Sequence, residues 1–135
     1  MDNEIRSGRA PARHVDEGEP LLVVDDLRTT FAVAAGSVRA VDGVSLELHR
    51  GRTLGVVGES GSGKTVLSRS IMGLNTSSNA MTTGSVLYAG DEMIGKTAKE
   101  KRILWGAEMA MVFQDPMTSL NPVVTIGRQL TEHIR

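Results

Sequence analysis

The sequence predicts an α/β fold that opens with an antiparallel β subdomain, and three observations support this. Val44, Leu46 and Leu48 alternate with polar residues, which is the period-2 pattern of a half-buried strand. The apolar run 53–57 leads through a glycine-rich loop into an amphipathic helix. The continuous apolar run 109–113 is typical of strands that a parallel sheet buries on both faces.

Composition limits the class of protein. The chain has 135 residues, with 15 basic and 16 acidic side chains and a net charge of −1. This balance argues against a globally basic nucleic-acid binder, so no nucleic-acid partner is expected. The absence of cysteine excludes a disulfide scaffold, a thiolate zinc site and a cysteine nucleophile. No stretch approaches the roughly 18 apolar residues that cross a bilayer, and we expect a soluble, cytoplasmic chain.

The first residues differ in character from the rest. Residues 1–20 are polar and are predicted to form a disordered leader, which leaves 21–135 as the folded part. A strand is predicted at 21–24, with a solvent-facing turn at Asp25 and Asp26. An acidic pair after an apolar strand is also typical of magnesium-binding strands in nucleotide enzymes. That strand normally follows the phosphate loop, however, so neither aspartate is assigned a catalytic role.

The remaining elements follow from turn residues and apolar periodicity. A hairpin turn is predicted at Gly36 and Ser37, between Phe31 and Val38, followed by a strand at 53–57 and a helix over 64–74 that Gly73 ends. Next come a strand at 85–88, a turn at 91–95, a helix over 97–105, a strand at 109–113 and a loop over 114–122. The last element is a helix capped by Thr125, with Ile126, Leu130 and Ile134 on one face.

The most specific local signal is the octapeptide GESGSGKT, which fits the pattern GxxxxGK[ST]. A polyphosphate is held by backbone N–H groups, so side chains must be absent where the chain passes closest. Lys64 would place a cation on the phosphates, and the Thr65 hydroxyl would hold Mg²⁺. The candidate cofactor-binding residues are Gly58, Glu59, Ser60, Gly61, Ser62, Gly63, Lys64 and Thr65.

Two further side chains have open interpretations. Phe31 lies upstream of the loop and could stack on a base or pack in the core. Gln114 stands at the end of an apolar run, where parallel sheets place residues that contact ligands. Its amide could reach Mg²⁺ or order a water molecule, or it could simply be solvated.

Three stretches together resemble one known family. GESGSGKT, the Met72-Gly73-Leu74 helix end and MVFQDPMTSLNP at 111–122 are similar to the ATP-binding subunit of ABC transporters, in the dipeptide and oligopeptide importer branch. The resemblance runs from about residue 21 to residue 135. It implies a P-loop NTPase fold of ABC type with an N-terminal antiparallel β subdomain, truncated after the glutamine (Q) loop, so that 21–135 is the N-terminal part of the domain.

The resemblance also implies roles for individual residues. Phe31 matches the aromatic residue that stacks on adenine. Lys64 matches the phosphate-contacting lysine of the Walker A loop, and Thr65 matches its Mg²⁺ ligand. Gln114 matches the glutamine that contacts Mg²⁺ and the attacking water, which makes it the candidate catalytic residue. The loop 115–122 would face the membrane permease.

The implied function is ATP-driven import of peptides, with ATP and Mg²⁺ as cofactors. The implied partners are transmembrane permease subunits, a second ATP-binding subunit that is identical or related, and, indirectly, a periplasmic or extracellular solute-binding protein. The implied location is the cytoplasmic face of the cell membrane, as a peripheral subunit.

The family's signature motif, Walker B strand and switch histidine would follow the stretch that matches here. We therefore expect this chain alone to bind nucleotide without appreciable hydrolysis. A non-hydrolysing nucleotide-binding remnant or docking fragment is the main alternative, and a stand-alone P-loop kinase is a weaker one. The apolar runs 53–57 and 109–113 would lack strand partners, which predicts a marginally stable or aggregation-prone chain.

Overall fold

The computed structural model describes residues 18–114 and 120–131. The chain divides into two compact units, Met1–Lys101 and Arg102–Arg135. The predicted leader over 1–20 lies almost entirely outside the described residues, and its last residue, Pro20, begins the first strand.

The first unit contains a four-stranded antiparallel sheet with the strand order β2-β1-β3-β4. Its strands are β1 (Pro20–Val33), β2 (Gly36–His49), β3 (Ala80–Tyr88) and β4 (Asp91–Glu92). The antiparallel β subdomain is therefore confirmed. Because β3 pairs with the far side of β1, the chain between β2 and β3 has to leave the sheet and return, and that excursion carries the glycine loop and its helix.

The predicted turn at Asp25 and Asp26 is wrong, because β1 continues through both residues in a bulge. Asp26 takes a left-handed conformation with φ of 43°, and the register to β2 shifts between Val24 and Leu27. A Cβ atom at Gly84 on β3 would lie 2.5 Å from the Asp26 carbonyl oxygen. The bulge thus depends on a glycine distant in the sequence, which a local turn signal does not reveal.

The β1–β2 hairpin is present, with a small correction to its turn. Phe31 pairs with Val38 as expected, but the turn residues are 34–35, and Gly36 is already the first residue of β2, opposite Val33. Both strands are longer than predicted, because β1 is paired along both of its edges and its polar stretch is held in the sheet by those neighbours.

Helix α1 (Lys64–Ile71) ends three residues earlier than predicted. Gly73 adopts φ of 66°, its N–H donates to the Ser70 carbonyl at 3.0 Å, and the Leu74 N–H donates to the Arg69 carbonyl at 2.8 Å. These two bonds form a Schellman motif, which satisfies the last helical carbonyls. Gly73 is therefore the terminating residue, as the sequence indicated.

The core of the first unit lies between the sheet and α1. Its side chains are aliphatic or thioether groups, which agrees with the low aromatic content. The buried hydrophobic residues are Val24, Leu27, Val41, Leu67, Met72, Val86 and Met93, and the buried polar residues are Thr29 and Ser70.

The predicted strand at 53–57 is wrong for this structure. The segment has no regular secondary structure, and its side chains are exposed, with Val57 at 93%. A strand is stable only when a neighbour accepts and donates its backbone hydrogen bonds. Within the described residues of the first unit no strand pairs with this segment.

The predicted strand at 109–113 is likewise not formed. Only Met109 makes a bridge, with Trp105, and Val112 is 97% exposed. Helix α2 (Ala98–Leu104) fits its prediction, with Thr97 as N-cap: the Thr97 N–H and hydroxyl donate to the Glu100 carboxylate at 2.7 and 2.6 Å. Helix α3 (Ile126–Thr131) begins after Thr125 as predicted, although Ile126 and Leu130 are exposed and Ile134 lies outside the described residues.

Candidate functional site

The glycine loop over 58–63 joins the exposed segment 53–57 to the N-terminus of α1. Gly63 is the N-cap of the helix and has φ of 91°, a left-handed conformation that favours glycine. A Cβ atom at Gly63 would collide with the carbonyl oxygen of Ala40 on β2. Strand β2 thus backs the loop directly, and only glycine fits against it.

Two other glycines of the loop have their own steric reasons. A Cβ atom at Gly58 would lie 2.6 Å from the Ser62 hydroxyl oxygen, so a side chain there would displace that hydroxyl. Gly61 has φ of 82°, again in the left-handed region. The loop turns tightly enough for the Ser62 N–H to donate to the Glu59 carbonyl at 3.2 Å. The backbone of the loop 58–63 therefore forms a compact turn.

The N-terminus of α1 carries open hydrogen-bond donors. Gly63 offers no side-chain cap. In the described part of the chain, no residue accepts a hydrogen bond from the N–H groups of Lys64, Thr65 and Val66. Such first-turn donors, together with the helix dipole, give the site a positive potential of about half a unit charge. The arrangement suits an anion.

The Lys64 ammonium group lies over the same loop. Its Nζ donates to the carbonyl oxygens of Gly58 and Glu59 at 2.8 and 2.6 Å and to the Ser62 hydroxyl at 3.2 Å. Three loop oxygens thus fix the cation next to the open helix donors. Thr65 is exposed, and its hydroxyl makes no hydrogen bond to any described residue. The site therefore combines a fixed cation, backbone donors and one unpaired hydroxyl.

Phe31 lies on the α1 side of the sheet. It is half-buried and pairs with Val38 on β2 and Ala80 on β3. Thr29, two residues earlier, points to the same face, since side chains alternate along a strand. The Thr29 hydroxyl contacts Ser70 of α1 at 2.7 Å, which identifies that face. Phe31 and the glycine loop are therefore both in the first unit, on one side of its sheet.

Gln114 lies in the second unit, where its side chain is exposed. Its predicted contact with Mg²⁺ and water stays a prediction. Of the loop predicted over 114–122, residues 115–119 lie outside the described residues. Across the described ranges, no group of three or more histidine, cysteine or acidic side chains gathers as a metal site.

Asp26, one of the two adjacent aspartates on β1, has a structural partner. Arg28 donates to Asp26 at 2.7 Å and to Asp42 on β2 at 2.6 Å. The hydrogen bond from Arg28 holds the pKa of the Asp26 carboxyl below its ordinary value. Asp26 is thus engaged in a surface ion pair with Arg28 beside the bulge.

Sequence reasoning missed Ala40 as a contributor to the loop, and it named Ser62 without the contact that its hydroxyl makes. Ala40 acts through its backbone carbonyl, which no sequence signal marks. Ser62 holds the Lys64 ammonium group through its hydroxyl, although the motif treats its position as variable. A small polar residue just before the Gly-Lys pair is the only hint that the sequence offers.

A glycine loop that opens onto an uncapped helix N-terminus, with a lysine over the loop, defines the class of P-loop domains. The sequence profile described as ABC transporter matches residues 41–133. The chain belongs to the ABC transporter family.

Its relatives include proteins named for peptide uptake. It is 46% identical over 115 residues to the dipeptide transport ATP-binding protein DppD of Bacillus subtilis, a match that covers 84% of this chain and 34% of that protein. It is 46% identical over 116 residues to a putative peptide import ATP-binding protein of Brucella abortus, covering 86% and 35%. The oligopeptide transport ATP-binding protein OppD of Bacillus subtilis is 44% identical over 113 residues, covering 83% and 32%.

The chain spans about a third of the length of the curated relatives it matches. Among the described residues, no helix has the length and apolar character needed to cross a membrane.

Proposed function

We propose that this chain binds Mg²⁺-ATP through its first unit, as the nucleotide-binding part of an ABC importer for peptides. The observation that carries the proposal is the Lys64 ammonium group, which three loop oxygens hold beside the unpaired N–H groups of α1. A triphosphate is the ligand class that matches a fixed cation next to a ring of backbone donors.

The proposed roles follow the chemistry of each group. The backbone of 58–63 wraps the phosphates, and Lys64 neutralises their charge. Phe31 supplies an aromatic face for the adenine ring, on the same side of the sheet as α1. The loop residues Glu59, Ser60 and Ser62 contribute through their backbone, and Ser62 also holds the lysine.

The residues present fit a bound magnesium ion. Mg²⁺ in nucleotide sites takes one or two protein oxygens, phosphate oxygens and water. The exposed Thr65 hydroxyl, which has no other hydrogen bond in the described chain, would be the protein ligand in the first unit. From the family resemblance, we also propose the Gln114 amide as a ligand of Mg²⁺ and as the group that orients water. The ion would neutralise charge on the phosphates.

The finer parts of the proposal concern the complete transporter. They are ATP hydrolysis coupled to peptide import, pairing with a second ATP-binding subunit, docking on transmembrane permease subunits at the cytoplasmic face of the membrane, and indirect dependence on a solute-binding protein. What supports them is the 44–46% identity to proteins named for dipeptide and oligopeptide transport.

The test is a titration of the purified chain with a fluorescent ATP analogue in the presence of Mg²⁺. Lys64→Ala should weaken binding by about 10- to 100-fold, since hydrogen bonds to charged groups contribute roughly 1.5–3 kcal/mol. Lys99→Ala, which removes the same charge from the exposed surface of α2, is the matched control and should leave affinity unchanged. Equal affinities of the wild type and Lys64→Ala would contradict the proposal.

The same preparation separates binding from turnover. Phe31 and the glycine loop, the proposed contacts of the base and the phosphates, lie in the first unit, and Gln114 lies in the second. As a separate point, we propose that this chain binds nucleotide without hydrolysing it at an appreciable rate by itself. Steady phosphate release that Lys64→Ala abolishes would contradict that and favour an autonomous ATPase.

A further inference from the structure

A buried chain of hydroxyl groups joins the sheet to helix α1. Thr29 of β1 is 0% exposed and Ser70 of α1 is 3% exposed, and their hydroxyl oxygens lie 2.7 Å apart. On the other side, the Thr29 hydroxyl lies 3.3 Å from that of Thr82 on β3. The other core side chains are apolar, and buried hydroxyls are tolerated only when they are hydrogen-bonded, so this polar link calls for an explanation.

The donors in this chain can be assigned. Ser70 donates its one proton to the Val66 carbonyl at 2.7 Å, since a carbonyl oxygen can only accept. Asn75 donates its amide proton to the Ser70 oxygen at 2.8 Å. Thr29 must then donate to Ser70, and Thr82 to Thr29. The hydrogen bonds therefore run in one direction, from β3 through β1 to the first turn of α1.

This chain of hydrogen bonds passes close to groups of the proposed nucleotide site at two points, Val66 and Thr29. Val66 directly follows Lys64 and Thr65 in the first turn of the helix. Thr29 lies two residues from Phe31 on the same face of β1, and the pairing with β3 continues from Thr29 to Phe31 without a register shift. The Thr29–Ser70 hydrogen bond thus directly links the strand of the aromatic residue to the helix of the phosphate loop.

We propose that Thr29 and Ser70 are positioning residues, which set the distance between Phe31 and the phosphate loop and thereby make the site selective for a nucleotide over a bare polyphosphate. The inference rests on the proposed function. Contacts with the phosphates require only the loop and α1. Simultaneous stacking of the base on Phe31 also requires β1 to be held at a fixed position relative to α1. Losing the hydroxyl link should therefore affect the base contact and spare the phosphate contact.

The experiment compares ATP with inorganic tripolyphosphate, each displacing a fluorescent ATP analogue from the full chain with Mg²⁺. In Thr29→Val, which keeps the side-chain volume, ATP affinity should fall about tenfold, the lower part of the range for a lost base–aromatic stack. Tripolyphosphate affinity should change by less than about twofold. Thr29→Ser, which restores the hydroxyl, should restore ATP affinity.

Two further variants make the test specific. Thr30→Val alters the neighbouring threonine on the opposite face of β1 and should behave as wild type. In a Phe31→Ala background, Thr29→Val should produce no further loss of ATP affinity, because the contact it positions is already absent. Ser70→Ala breaks the same link from the helix side and should reproduce the selective loss.

The outcomes distinguish the two proposals. Equal weakening of ATP and tripolyphosphate in Thr29→Val and Ser70→Ala, or loss of the folded state in both by thermal melting, would mean that the pair has only a structural role and would overturn the inference. An undiminished effect of Thr29→Val in the Phe31→Ala background would overturn it as well. A wild-type chain that binds neither ligand would instead overturn the proposed function.

Discussion

At the residue scale, the glycines of the loop show what a motif does and does not reveal. The pattern GxxxxGK[ST] predicted that side chains are absent where a phosphate would approach. The structure adds a second constraint at Gly63, where the Ala40 carbonyl of β2 occupies the space of a Cβ atom. That contact could not be predicted, since it joins a backbone atom to a residue 23 positions away along the chain.

The Gly63 constraint leads to a stability prediction. Gly63→Ala combines a left-handed φ of 91° with the clash against Ala40, whereas Gly51→Ala has a similar φ of 68° and open space around it. We expect Gly51→Ala to lower the free energy of unfolding by about 1–2 kcal/mol, the cost of a left-handed conformation. Gly63→Ala should lower it by at least about 1 kcal/mol more, in the range of overpacking.

Urea denaturation of the two variants and the wild type measures this difference. The slope of the transition should stay the same, so that the shift in midpoint reports stability alone. Indistinguishable midpoints for the two alanine variants would contradict the prediction. They would mean that the β2 backbone at Ala40 moves to relieve the clash and that Gly63 is needed only for its φ angle.

At the scale of elements, helices were easier to predict than strands. Helix α1 ends at a glycine and α2 begins at a Thr-x-x-Glu box, and both signals are local. Strand β3 begins at Ala80, five residues before its predicted start, because its first half contains Gly84, which is needed by the bulge on β1. Strand bounds depend on partners, and partners are distant in sequence.

One carboxylate, that of Glu92, connects the edge strand β4 to its neighbour β3 through hydrogen bonds. Glu92 of β4 accepts hydrogen bonds from the Ser85 hydroxyl at 2.5 Å, the Val86 N–H at 3.0 Å and the Ile94 N–H at 2.9 Å. Burial by itself would raise the pKa of Glu92, but these hydrogen bonds outweigh it and hold the pKa below the ordinary 4.5. The charged form is thus the one that the fold favours.

The pH dependence of stability follows from this sign. A carboxyl whose pKa is lower in the folded state stabilises the fold above its unfolded pKa, and that contribution is lost as the pH falls through the folded pKa. The difference in free energy of unfolding between wild type and Glu92→Gln should therefore shrink on acidification from pH 7 to below the ordinary 4.5. Urea titrations at several pH values measure it.

Glu19→Gln is the matched control for this experiment, since Glu19 is exposed and accepts no hydrogen bond from the described residues. It should differ little from wild type at every pH. A difference between wild type and Glu92→Gln that is independent of pH would mean that the amide replaces the carboxylate in full and that ionisation of Glu92 does not stabilise β4.

At the scale of the whole molecule, the predictions of the fold class and of the antiparallel subdomain are confirmed, and two predicted strands are wrong. The runs 53–57 and 109–113 have strand-like composition, yet neither forms a strand within the described residues, and Val57 and Val112 are almost fully exposed. Composition states that a segment is able to form a strand. A neighbouring strand decides whether it does, and no local pattern contains that information.

The exposed run 53–57 predicts self-association of the isolated chain. Val57→Asp removes the most exposed apolar side chain of the segment and adds a charge, which disfavours pairing between edges of two molecules. Sedimentation velocity over a range of concentrations should show less association than in the wild type. Thr53→Asp adds the same charge without removing an apolar group and should have a smaller effect; equal association in all three chains would contradict the prediction.

The excursion of the chain between β2 and β3 has a consequence for the order in which the molecule folds. During synthesis the β1–β2 hairpin is complete once His49 has emerged, and its contacts are local, so it can form early. Pairing of Phe31 with Ala80 must then close a loop of about 50 residues, at an entropic cost that grows only slowly with length. The glycine loop and α1 lie within this stretch of about 50 residues. Their final geometry is therefore set late, when β3 pairs with a β1–β2 hairpin that has already formed.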